Sequence, residues 1–152
     1  MSEWKDAAFF DRWFQDFGKG ISRLDRDARA LLFQACAASC AKDALKDLYH
    51  DLFQACEGNL DRFFSRLHEI GNVGGRVVEA GKRYELAFLR CGCPLHTEAK
   101  VNAPALCECS RQSILAELRE WMPNAEFIVE EKGTILRGDP KCCFSITRIE
   151  SR

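Results

Sequence analysis

The sequence predicts an α+β fold, with N-terminal helices packed on a mainly antiparallel sheet and one further helix between strands. Two observations predict it. Apolar residues recur at helical spacing from Phe10 to Ile70, and from Arg76 onward that spacing gives way to short alternating segments. The alternating segments are separated by turn-forming residues at Ala80-Gly81-Lys82 and Gly138-Asp139-Pro140-Lys141. At 152 residues the chain reads as a single domain, 1–152, with a helical part over 1–70 and a cysteine-rich α+β part over 76–149.

The first helix places Phe10, Trp13, Phe14 and Phe17 on one face, expected to pack on the core, and Gly18 and Gly20 are expected to end it. The second runs from about Leu24 to Ala41, with Asp25 or Asp27 as its cap and Leu24, Ala28, Leu31, Leu32, Ala35 and Cys36 as its apolar stripe. The third carries Leu45, Leu48, Tyr49, Leu52, Phe53 and Cys56 and stops at Gly58-Asn59; the fourth carries Leu60, Phe63, Phe64, Leu67 and Ile70. Residues 76–90 read as two strands, and 95–106 as a loop. Ser110 is the expected cap of a helix from Arg111 to about Met122. Strands follow over 125–131 and 142–149, with 134–137 as another strand or a bulged continuation.

Several function classes are excluded by composition. The chain has 22 basic and 23 acidic residues, and neither half is basic enough to attract nucleic acid by charge. No stretch of 18 apolar residues is present to span a membrane, and the acidic N-terminus is unlike a signal peptide. A cytoplasmic, reducing location is expected, where clustered cysteines point to metal or redox chemistry rather than disulfides.

Nine cysteines stand out. Cys36, Cys40 and Cys56 fall on or beside apolar helical stripes and read as small buried hydrophobes. The other six form three close pairs: Cys91-Gly92-Cys93, Cys107-Glu108-Cys109 and Cys142-Cys143. The first pair ends a strand and the second precedes a helix N-terminus, where the dipole favours thiolates. Together they offer four sulfurs, enough for tetrahedral zinc or an iron–sulfur cluster, with His96 as a possible replacement ligand. Strand alternation puts Cys142 with the apolar Phe144 and Ile146, and Cys143 on the opposite face. A nucleophilic cysteine, Cys93 or Cys109 with His96 as base, is a further alternative. His50 and His68 read as surface or boundary residues of helices.

The closing segment, Glu131 followed by Gly138-Asp139-Pro140-Lys141-Cys142-Cys143-Phe144-Ser145-Ile146, resembles the closing motif of the four-vinyl-reductase domain family. That resemblance implies an α+β fold like subunits of the TRAPP vesicle-tethering complex, and a small hydrophobic or aromatic ligand. It also implies a zinc ion held by cysteines and an acidic residue, with Cys142 matching the closing cysteine, Glu131 the acid, and Cys107 or Cys109 an upstream ligand. The family's remaining cysteine, shortly after the acid, is absent: Lys132, Gly133 and Thr134 stand there, and Cys91 or Cys93 is available to fill the vacancy. The expected metal ligands are therefore drawn from Cys91, Cys93, Cys107, Cys109, Glu131 and Cys142. The expected function is a small-molecule binding or sensing domain with a cysteine-rich zinc site. The alternatives are a cysteine-dependent hydrolase or redox enzyme, similar to a thiazoline-carboxylate hydrolase-like group, and an iron–sulfur protein. The aromatic first helix is the expected contact of a homodimer.

Overall fold

A computed structural model describes residues 7–40, 45–98 and 100–150. The expected α+β architecture is present. Helices α1 (Ala7–Ser22), α2 (Arg26–Cys40), α3 (Leu45–Ala55) and α4 (Leu60–Arg66) come first, and a 3-10 turn extends α4 through Ile70. Strands β1 (Val73–Glu79) and β2 (Arg83–Phe88) form a hairpin. The short helix α5 (Pro94–Thr97) and a 3-10 turn (Pro104–Cys107) then lead into α6 (Glu108–Trp121). Strands β3 (Glu126–Gly133) and β4 (Cys142–Ile149) complete a four-stranded sheet in the order β1-β2-β4-β3, with every pairing antiparallel.

One face of this sheet carries Tyr84 and Leu86 from β2, Phe127 and Val129 from β3, and Cys142, Phe144 and Ile146 from β4. Their alternate spacing puts them on one side of the pleat. Leu52 and Phe53 of α3, Phe63 and Phe64 of α4, and Ile114, Leu115 and Leu118 of α6 pack with them in one core. Phe64 stacks on Tyr84 with ring centres 4.6 Å apart. The Tyr84 hydroxyl donates to Asp61 Oδ1, which also accepts from the Gly81 amide, so α4 and the β1–β2 turn are fastened together. A smaller cluster of Ile21, Phe33, Val101, Ala103, Ala105 and Leu106 holds α1 and α2 to the segment ahead of α6.

Several expectations are corrected. Helix α1 continues through Gly18 and Gly20, because Gly18 packs directly against Val101 and Ala103 instead of ending the helix. The buried line of α1 is Gly18 and Ile21, with Phe14 partly covered, whereas Phe10, Trp13 and Phe17 are exposed. In α2 the buried residues are Phe33 and Ala37, and Leu31 is 72% exposed. This helix is apolar nearly all round, so counting apolar residues selects the wrong side. Its cap is Asp25, whose Oδ1 accepts from the Ala28 amide. The 95–106 loop contains two short helical turns, and α6 starts at Glu108 rather than after Ser110. Residues 135–137 form a 3-10 turn, not a strand, because side-chain bonds take over the backbone there. Cys56 is buried as expected, but Cys36 and Cys40 are exposed, contrary to the reading of all three as core packing.

Candidate thiol site

The turn between β3 and β4 is built by the Gly-Asp-Pro-x-Cys sequence. Gly138 adopts a left-handed conformation (φ 96°) that side chains disfavour, which closes the turn from Ile135. Asp139 can then point back, and its Oδ2 accepts from the Thr134 amide at 2.9 Å. Gly133 gives that carboxylate room: a β-carbon there would lie 2.9 Å from Oδ2. Cys142 Sγ accepts from the Ile135 amide at 3.4 Å. The motif thereby sets Glu131, Thr134 and Cys142 around one bend.

Cys107 comes to the same place from the turn that precedes α6. It ends the 3-10 turn over Pro104–Cys107, and the surrounding apolar atoms bury it. Burial pushes its thiol up to about 12, and the nearby charges of Cys142, Glu131 and Cys91 push in the same direction. Burial also raises Cys142, with Cys91 and Glu131 again among its neighbours and the Ile135 amide opposing. Glu131 is raised by burial as well, although Arg137 nearby draws it down. Its Oε1 lies 3.1 Å from Arg137 Nη2, in an ion pair whose alignment does not make a hydrogen bond. The Thr134 hydroxyl is fully buried beside the Cys107 thiol, and its interaction with that thiol works against the effect of burial. Cys91, Cys107, Cys142 and Glu131 thus form an inner set around the β3–β4 bend, with the Thr134 hydroxyl buried among them.

The remaining expected residues belong to a second, outer set. Cys109 sits in the first turn of α6, packed against the smaller core cluster. Burial pushes it up to about 12, and Cys40, Cys93 and Cys36 add to the cost of ionising it. Cys93, just ahead of α5, is raised by burial, while the Leu95 and His96 amides act against the shift. Each Cys-x-Cys pair is thus divided between the sets. Cys91 and Cys107 go inward; Cys93 and Cys109 go outward.

Sequence reasoning missed Cys36 and Cys40 as members of any thiol set. Their four-residue spacing on α2 was the available signal, since it puts both sulfurs on one helix face. Cys143 pairs across the sheet with Ala87 and lies on the face opposite Cys142, as the strand phase predicts. His50 and His68 are exposed, as expected of surface helix residues. The His96 Nδ1 lies 3.2 Å from the Val101 carbonyl, so that ring nitrogen is engaged with backbone.

Among the described residues, no three His, Cys, Asp or Glu side chains stand in an arrangement that could already hold a metal ion. The inner donor set suits zinc in its chemistry, three sulfurs and a carboxylate. It does not close to ligating geometry. Two clefts open beside α2 and α6, and no cysteine is among the residues that line them. One, of about 350 Å³, is lined by residues of α2, α6 and β3, among them Leu31, Gln34, Leu115 and Phe127. The other, of about 290 Å³, lies between Arg26, Arg29, Glu108, Arg111, Glu131 and Arg137. The described helices include none long and apolar enough to cross a membrane. No protein-family model matches the chain, and no curated protein matches it.

Proposed function

We propose that this chain is a metal-binding module whose inner set, Cys91, Cys107, Cys142 and Glu131, takes up a thiophilic ion, with zinc as the first choice. The observation that supports this reading is the convergence of three thiols and a half-buried carboxylate on one bend of the chain. Groups that are costly to bury without partners are retained where a ligand repays the cost. A dication would do so here, by accepting the charge that burial now suppresses on Cys107 and Cys142. Modest closure of the β3–β4 bend and the Cys107 turn would be part of binding. Glu131 is kept as a donor by its resemblance-implied role and by its place in the set.

The same observations weigh against a nucleophilic cysteine. Such an enzyme needs a thiolate, and burial keeps Cys93, Cys107, Cys109 and Cys142 protonated at neutral pH. The reading is tested by metal analysis and an absorption spectrum of protein purified without oxygen. About one zinc per chain without colour is expected, lost in Cys107→Ser and in Cys142→Ser. Iron with sulfide and a brown colour would replace zinc by a cluster. Metal-free protein that binds no added zinc would sink the reading.

A small apolar ligand, as the family resemblance implies, would lie in the cleft between α2, α6 and β3 rather than against the main sheet face. Aromatic side chains already fill that face. A second copy of the chain would cover the exposed Phe10, Trp13 and Phe17 of α1.

A further inference from the structure

The smaller cleft, where the start of α2 meets the turn before α6 and the end of β3, carries an unbalanced charge. Its volume of about 290 Å³ is near the lower end for small-molecule sites. Three carboxylates line it, and each already has its own cation. Glu108 accepts from Arg111 Nε through both oxygens, at 2.9 and 3.0 Å. Glu130 lies 3.3 Å from Lys132 Nζ, and Glu131 lies 3.1 Å from Arg137 Nη2. That leaves Arg26 and Arg29, which stand three residues apart on one face of α2. Arg26 is exposed and Arg29 half-buried. Among the described residues, neither guanidinium has a hydrogen bond or an ion pair, and the buried Arg29 Nε has no partner. Glu131 acts on Arg29 through space, but the cation paired with it is Arg137.

We propose that this cleft binds a phosphate group, free or as a small monoester, between the guanidiniums of Arg26 and Arg29. A half-buried guanidinium whose Nε faces neither water nor an acceptor is costly, and an oxyanion relieves that cost. Charge selects the class of anion. Two unpaired guanidiniums call for two negative charges, and a phosphate group carries about 1.5–2 at neutral pH. A carboxylate brings one and leaves a guanidinium uncompensated. The planar fork of arginine also matches the spacing of phosphate oxygens. Arg111 forms a fixed wall rather than a third clamp, because Glu108 and the Val129 carbonyl occupy it, and Gln112 Nε2 holds Glu108 in turn. The N-terminus of α2 is not the source of the attraction, since Asp25 Oδ1 already accepts from the Ala28 amide there. The site uses no thiol and does not depend on zinc.

The test is calorimetric titration of the full chain, as purified and without added zinc, at low salt. The probes are inorganic phosphate, phenyl phosphate and acetate. Saturable binding of one phosphate group per chain is expected, with acetate at least about tenfold weaker. Affinity for phosphate is expected to fall about tenfold in Arg26→Ala and by at least as much in Arg29→Ala. It is expected to hold in Arg76→Ala, which removes a guanidinium paired with Glu85 on the β1–β2 hairpin. Arg26 is exposed, so its alanine variant keeps the fold and remains informative if Arg29→Ala does not. Tighter binding of phenyl phosphate would identify a monoester as the ligand; equal or tighter binding of inorganic phosphate would identify the free ion. The proposal is overturned by the absence of saturable binding, by acetate binding as tightly as phosphate, or by affinity unchanged in both cleft variants. An equal loss in Arg76→Ala would also overturn it, since that is a response to net charge alone. Metal analysis of the same samples keeps the two readings apart: Arg26→Ala and Arg29→Ala remove no thiol, so a failed phosphate site leaves zinc stoichiometry unchanged.

Discussion

Asp139 shows how much of the candidate site one side chain can hold. Its carboxylate satisfies the Thr134 amide in a turn whose glycines were chosen for that purpose by geometry. Losing it leaves a buried donor unpaired, which costs about 1–3 kcal/mol. Asp139→Ala is therefore expected to lower the unfolding free energy measured by urea titration by about 1–3 kcal/mol, and Asp139→Asn, which keeps an acceptor, by less. Glu131 makes a second prediction, through its protonation. Burial raises its pKa above the ordinary carboxylate value, so the folded metal-free protein holds this proton more tightly than the unfolded chain does. The stability it contributes is complete below the ordinary carboxylate range and is lost as pH rises through the raised value. Urea titrations of metal-free protein at a series of pH values are expected to show that decline, and Glu131→Gln to flatten it. A wild-type curve that rises with pH over this window would show that Arg137 outweighs burial.

At the scale of elements, periodicity made the helices legible and left their orientation open. Phe63, Phe64 and Leu67 of the α4 region were readable as one buried line because the residues between them are polar. In α2, by contrast, the run from Leu31 to Ala37 offers apolar residues in almost every direction, and only the partner surface of Ala105, Leu106 and α6 selects Phe33 and Ala37. The 135–137 segment was misread for a different reason: one side-chain cap, invisible to periodicity, overrides its extended character. The face of α1 is the most consequential of these cases. Trp13 and Phe17 stack 5.3 Å apart with nearly parallel rings, yet both remain exposed in the single chain. Such adjacent aromatic exposure is costly in water and is relieved by association. Sedimentation is expected to find a homodimer that the double variant Trp13→Ala, Phe17→Ala converts to monomer. Unchanged sedimentation of the variant would place the contact elsewhere.

For the molecule as a whole, the thiols matter because they join segments far apart in sequence. The pairing of cysteines into Cys-x-Cys units was plain in the sequence, but their division into an inner and an outer set was not. That division depends on how α2 meets α6, and on how the β3–β4 bend meets the turn before α6, which are tertiary facts with no local signature. Its energetic consequence is testable without knowing any ligand. Cys107 and Cys109 are both held up near about 12, so the folded chain keeps protons that the unfolded chain releases near the ordinary thiol value of 9.0. Stability from these groups is therefore present below that value and lost as pH climbs toward about 12. Zinc binding to the inner set must work against the same protonation. At neutral pH each thiol that ligates gives up its proton, so the titration should release about one proton per coordinating sulfur, Cys107 and Cys142 among them. Calorimetry of zinc binding in two buffers of different ionisation enthalpy measures that number directly. Proton release from the wild type, with zinc binding and its proton release both lost in Cys107→Ser, would confirm thiolate coordination. Binding with no proton release would mean that zinc sits on oxygen and nitrogen donors, away from the thiols.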